Sequence, residues 1–226
     1  MATELGAALL ERERELTAFV KVLSEARQGR GQVVLVEAPA GLGKTSLLKA
    51  ASRIATDAEF ISLRARASDL ERDFAYGCVR QLLEPAVARA SGHERTRLFD
   101  GAASLSAPLF AATNAPQQPH MADTSVSILH GLYWLLNNLA VERPLVLSVD
   151  DLQWSDVASL RFLAYLAPRL DGLPLAVFAS RRTGEGVTDE LARLATAPET
   201  TVLRPRPNAV GLALLEAPAA LWELLQ

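Results

Sequence analysis

The chain has 226 residues, half of them hydrophobic by type and 22% charged, with a formal net charge of −3. That is the composition of a globular protein rather than a disordered one, and the length suits one large α/β domain. The charge gives no global basic field for nucleic acid or anionic lipid, no apolar run reaches a membrane span, and the acidic opening MATELGAALLERERE lacks a signal peptide's basic start, so direct DNA binding and a membrane are set aside and a cytoplasmic location is expected.

Residues 9–28 place Leu9, Leu16, Phe19, Val20 and Leu23 at helical spacing with charges between them, and Gly29 and Gly31 end that helix. The β-branched run QVVLVE at 32–37 predicts a strand buried on both faces. Residues 38–43, too rich in Gly and Pro for a regular element, predict a loop, and a helix follows from Lys44 to Ile54. A second strand is expected at 59–63, then helices at 74–90 and 93–111, broken near Ser91 and Gly92. Cys78, the one cysteine, lies in an apolar stretch that predicts a buried, inert thiol. The polar stretch 113–122 reads as an exposed loop, and 124–141 as a helix with Val126, Leu129, Leu132, Tyr133, Leu136 and Leu139 on one side. Pro144 opens a third strand, 156–170 a helix, 174–180 a fourth strand, 188–196 a short helix and 200–204 a fifth strand. The alternation predicts an α/β fold, a mostly parallel five-stranded sheet with helices on both faces. One domain is expected over 1–205, with 206–226 the start of a C-terminal helical module cut short.

The loop carries the first chemical signal. The phosphate-binding pattern G-x-x-x-x-G-K-[ST], set between a strand and a helix, is met by A-P-A-G-L-G-K-T at 38–45, with Ala38 in place of the first Gly. Glycines let consecutive N–H groups turn inward, and the following helix adds its unpaired N–H groups and positive dipole end. Ala38, Pro39, Ala40, Gly41, Leu42 and Gly43 would wrap the phosphates, Lys44 would meet the β- and γ-phosphates, Thr45 would offer a hydroxyl to Mg²⁺, and Ser46 would reach the α-phosphate. Ala38 is tolerable if its φ is negative. Lys44 is one of only three lysines, with Lys21 and Lys49, in an arginine-rich chain, so its place was not filled by the default cation. Together these predict a P-loop NTPase that binds ATP and Mg²⁺.

The second signal is an apolar strand ending in acids, LVLSVDD at 145–151. Asp150 would anchor Mg²⁺, and Asp151 would orient or deprotonate the attacking water. Aspartate is one methylene shorter than the glutamate many such sites use, which predicts slow hydrolysis. Taken alone, an acidic pair after a strand serves equally to cap the next helix. The fourth strand ends in Ser180-Arg181-Arg182, at the edge where parallel strands present ligands, so Arg181 or Ser180 would sense the γ-phosphate; a solvated arginine pair is the competing reading. His93, His120 and His130 are scattered and show no zinc spacing.

Several segments, LLEREREL, VVLVEAPAGLGKTSLL, FAYGCVRQLLEP, RLFDGAASLSAPLF, SILHGLYWLLNNLA and LVLSVDDLQWSDVASLRFLAYLAPRL, together resemble the ATPase domain of large LuxR-type, maltose-regulator-like bacterial regulators within the AAA-like group. The resemblance covers about 9–205 and is most specific in DDLQWSD and RFLAYLAPRL. It implies that the strand ending at Ser180 lies between the P-loop strand and the Asp150 strand. It also implies that ATP binding, rather than fast turnover, switches self-association. Leu10 to Leu16 resembles a family segment with a Gly-Arg-Glu pattern near the adenine; Glu11 replaces the Gly, while Arg12 and Glu13 match, so Arg12 is an expected adenine contact. Sensor and DNA-reading modules of the family lie outside the resemblance. A free-standing AAA-like ATPase and an oligomerisation module with a decayed nucleotide site, suggested by Ala38, remain as competing readings.

Overall fold

The computed structural model describes residues 12–111 and 126–206. Its strands are β1 (Gln32–Ala38), β2 (Ile61–Arg66), β3 (Leu145–Asp150), β4 (Leu175–Arg182) and β5 (Thr200–Leu203). They form one sheet in the order β2-β3-β4-β1-β5, and every pairing is parallel. β4 therefore lies between β1 and β3, as the family resemblance implies. The described helices are α1 (Glu13–Arg27), α2 (Lys44–Asp57), α3 (Gly77–Arg89), α4 (Gly92–Leu98), α5 (Val126–Ala140), α6 (Val157–Leu166) and α7 (Asp189–Thr196).

Strand side chains alternate between faces, so near-continuous apolar runs feed two cores. On one face Val34, Val36, Val146, Ala176 and Phe178 pack against α1 and α2, where the Phe19 and Phe178 rings lie 4.9 Å apart. On the other face Val33, Leu35, Leu147, Val149 and Val177 meet residues of α3, α5, α6 and α7. Each fully buried aliphatic side chain contributes about 1.5–3 kcal/mol, so these two layers supply most of the drive to form the sheet. The α/β sandwich expected from the strand–helix alternation is the observed architecture. Among the described residues no helix is long and apolar enough to cross a membrane.

Two boundaries differ from the sequence reading. α2 runs to Asp57 and β2 starts only at Ile61. The closure between them uses Glu59 at φ +63, with Phe60 N–H donating to Ala55 O at 2.9 Å. Glycine normally fills such a left-handed cap, and its absence left the helix end unmarked. Residues 93–111 do not form one helix. α4 starts on a Ser91–Glu94 capping box and ends at Leu98, where the Asn138 amide donates to the carbonyls of Arg97, Leu98 and Asp100. Gly101–Phe110 then winds as a 3₁₀ segment that contains Pro108. The loop expected at 113–122, and the expected helical start beyond Arg206, lie outside the described residues.

Candidate functional site

Because all five strands run parallel, their carboxyl ends share one edge. There β1 ends in Ala38, and the chain turns through 39–43 into α2. The left-handed positions of this turn are its two glycines, Gly41 at φ +79 and Gly43 at φ +75. A Cβ on Gly41 would meet no atom within 4 Å, so the backbone angle rather than crowding demands glycine there. Ala38 stays within the strand and has no positive φ, so its methyl adds no strain at the position where the pattern has Gly. Pro39, Ala40 and Gly41 are exposed, Leu42 is buried, and Gly43, Thr45 and Ser46 are half-buried. α2 begins with no side-chain cap and no acid in its first turn. Its leading N–H groups and positive dipole end are thus not answered by a carboxylate of its own.

Lys44 is 7% exposed, and its ammonium donates to the carbonyls of Ala38 at 2.9 Å and Pro39 at 2.7 Å. Burial pushes its pKa below the ordinary lysine value; Asp151 and then Asp150 pull it back up, and Arg182 adds to the lowering. Thr45 Oγ1 donates to Asp150 Oδ2 at 2.7 Å, joining α2 to the end of β3. The other oxygen, Asp150 Oδ1, accepts from Ser180 Oγ at 2.5 Å. A hydroxyl and a carboxylate brought together beside a buried ammonium offer hard oxygen donors of the kind Mg²⁺ takes. The donor set therefore fits the metal expected from the sequence.

Immediately after β3 the chain takes a sharp turn. Asp151 adopts φ +60, a left-handed conformation that Asp tolerates better than most residues. Ser180 Oγ accepts its N–H at 3.0 Å. Its carboxylate is held on both sides, Oδ1 by Gln153 Nε2 at 3.1 Å and Oδ2 by Arg66 Nε at 3.5 Å. Gln153 also accepts the N–H of Arg182 at 2.9 Å, and so bridges the turn to β4. Further along the same motif, buried Asp156 caps α6 through Ser159 N–H at 2.8 Å. It also accepts Tyr76 N–H at 2.8 Å and Cys78 N–H at 3.2 Å, so one carboxylate answers the leading donors of two helices. Cys78 itself is buried, and desolvation first of all pushes its thiol up to about 12, which makes it the inert core residue the sequence suggested.

Two expected contacts sit elsewhere. Arg181 pairs in register with Glu37, and its guanidinium bonds the Glu37 carboxylate. Strand alternation puts that pair on the face opposite Ser180 and Asp150, away from Lys44. Arg182, one residue on, is the arginine whose charge reaches Lys44. Arg12 is 2% exposed and donates to Leu42 O at 3.2 Å and Arg206 O at 2.7 Å. Its guanidinium braces the loop against the segment after β5 rather than presenting both amino groups to a ligand.

Gln153, Arg66 and the two-helix clamp of Asp156 were not singled out from the sequence. Gln153 had one available signal, its place in the DDLQWSD stretch where the family resemblance is most specific. A strand at 59–63, as the sequence pattern suggests, ends before Arg66, whereas the observed β2 runs on to it and brings its side chain to Asp151.

No curated protein sequence matches the chain. Among solved structures it is similar to the Aeropyrum pernix ORC1 protein in complex with DNA, at 14% identity and a TM-score of 0.47, over 88% of this chain and 46% of that one. It is also similar to Drosophila ORC bound to AT-rich DNA and Cdc6, at 15% identity and 0.45, over 99% and 66%. Against AMPPCP-bound DnaA from Aquifex aeolicus the values are 12% and 0.40, over 91% and 53%. The chain thus spans less than half the length of the archaeal protein and about two thirds of the Drosophila one. Residues 8–178, most of the sequence and all of the loop, the acidic strand end and the turn after it, match the model of the AAA ATPase domain. The chain belongs to the AAA ATPase domain family.

Proposed function

We propose that the chain is the ATP-binding, slowly hydrolysing switch domain of a LuxR-type transcriptional regulator, acting in the cytoplasm. The observation that carries the nucleotide reading is the meeting of Thr45 with Asp150, 105 residues apart in sequence, beside buried Lys44. In this reading the 38–43 loop and the leading N–H groups of α2 cradle the phosphates, with Ser46 at the α-phosphate. Lys44 neutralises the β- and γ-phosphates, Thr45 and Asp150 hold Mg²⁺, and Asp151 orients water. When bound, Mg²⁺ would supply positive charge that offsets the phosphates. Ser180 takes the γ-phosphate-sensing place at the end of β4, a role that the position of Arg181 on the opposite face does not favour. Arg12 acts on the nucleotide through the loop it braces. Slow turnover is supported by the Asp151 side chain, one methylene shorter than the glutamate many such sites use.

The regulator context rests on the resemblance of the segments quoted above, and with it come ATP-dependent self-association and no DNA contact by this chain itself. Calorimetric titration with ATP and Mg²⁺ tests the core of the reading. Stoichiometric binding that disappears in Lys44→Ala supports it, and absence of binding by the unaltered chain refutes it. Turnover of many per second would instead favour a free-standing AAA-like ATPase.

A further inference from the structure

Gln153 is 6% exposed and has both ends of its amide committed. Its Nε2 donates to Asp151 Oδ1 at 3.1 Å, and its Oε1 accepts Arg182 N–H at 2.9 Å. These partners fix the orientation of the amide, because a flipped group would set NH₂ against a backbone donor and oxygen against a carboxylate. Gln153 lies in the one-turn 3₁₀ segment Leu152–Trp154, which is closed by Trp154 N–H donating to Asp151 O at 2.9 Å. Buried Leu152 anchors that segment in the core. The amide therefore reaches back from a rigid support, while Ser180 Oγ fixes the Asp151 backbone. Beyond Arg182, Thr183 N–H donates to Ala38 O at 3.2 Å, so the strand end gripped by Gln153 is tied to the start of the phosphate loop.

We propose that Gln153 is a positioning residue for Asp151, holding one carboxylate oxygen so that the other faces the attacking water; this rests on the nucleotide reading above. In the reaction it serves, the water oxygen bonds to the γ-phosphorus and the bond from that phosphorus to the β–γ bridging oxygen breaks. The electron pair leaves with ADP, and the water proton passes to Asp151. An aspartate turned by free rotation would spend much of its time aimed elsewhere, and a misplacement of about 1 Å costs on the order of 100-fold. Arg66, with a largely exposed side chain, is the group on the Oδ2 side and can swing away from it without disturbing packing.

Two variants separate this role from a scaffold role. Gln153→Glu keeps an acceptor for Arg182 N–H and replaces the donor to Asp151 with a like-charged oxygen; Gln153→Ala removes both contacts without adding charge. Three quantities are read: the single-turnover hydrolysis rate, calorimetric affinity for ATP with Mg²⁺, and hydrogen exchange of the Arg182 amide in nucleotide-free protein. Both variants should hydrolyse about tenfold or more slowly while their affinities stay within about threefold of the parent. The Arg182 amide should exchange faster in Gln153→Ala and at the parent rate in Gln153→Glu. A Gln153→Glu variant that hydrolyses at the parent rate overturns the proposal, because only the link to β4 would then matter. Affinity and rate falling together overturn it too. A parent chain that binds no nucleotide sinks the ATP reading and this proposal with it. A parent that binds but never hydrolyses sinks this proposal alone.

Discussion

Glu37 and Ala38 are neighbours in sequence, yet at the carboxyl edge of the sheet they belong to different chemistries. On one face Ala38 opens the phosphate loop, Asp150 meets Thr45 and Ser180, and Lys44 lies buried among them. On the other face Glu37, 4% exposed, is bonded by both Arg181 and Arg204. The first cluster leaves oxygens and an ammonium whose partners are exchangeable backbone carbonyls and two hydroxyls. The second has already neutralised its buried charge with two guanidinium groups, the condition under which a buried carboxylate is tolerated. Charged residues of equal prominence in the sequence thus divide into a face proposed to bind nucleotide and a face whose charges are already paired, and a single residue of strand register decides which is which.

The largest test of this division is Lys44→Ala. It should weaken ATP binding by about 100-fold or more, near 3 kcal/mol, read by calorimetry. Asp150→Asn should cost about tenfold to 100-fold, and only in the presence of Mg²⁺, because it removes a proposed metal ligand and leaves the 38–43 loop intact. Equal loss with and without Mg²⁺ would argue that Asp150 serves only as a tether for Thr45.

The pH dependence sharpens the same face. Burial lowers the Lys44 pKa, and only the protonated amine pairs with phosphate. ATP affinity should therefore fall as pH rises through that lowered value, by up to about tenfold per pH unit, with proton uptake on binding detectable in buffers of different ionisation enthalpy. For the nucleotide-free chain the sign reverses. A lysine whose folded pKa lies below its unfolded one costs stability while protonated, so this contribution improves as pH climbs between the two values. An affinity that stays flat across the alkaline range would place the ammonium outside the binding step.

The smallest effects on binding belong to the other face. Glu37→Gln should destabilise folding by about 1–3 kcal/mol in urea titration, a range reduced for the exposure of Arg204. ATP affinity should stay within about twofold in Glu37→Gln and in Arg181→Ala. A loss in either variant comparable to that of Lys44→Ala would erase the distinction between the faces.

Much of this molecule was legible without coordinates. QVVLVE and LVLSVD announce themselves as doubly buried strands because their interiors are apolar apart from the small Ser148. Gly41, Gly43, Lys44 and Thr45 announce the loop because few other backbones need that series of residues. The end of α2 was not legible, since Glu59 occupies a cap that glycine usually marks. The break after α4 was hidden as well, because the Asn138 side chain that receives its last carbonyls lies about forty residues further on.

Local pattern alone determined the strand–helix alternation, the phosphate loop and the acidic strand end, because periodicity and backbone permissiveness are properties of short segments. Tertiary structure alone decided that Arg181 serves Glu37 while Ser180 serves Asp150, that Arg12 braces Leu42, and that Gln153 grips both Asp151 and Arg182. Those outcomes depend on which strand lies beside which and in what register, and a sequence of short segments carries no record of distances between chain positions a hundred residues apart.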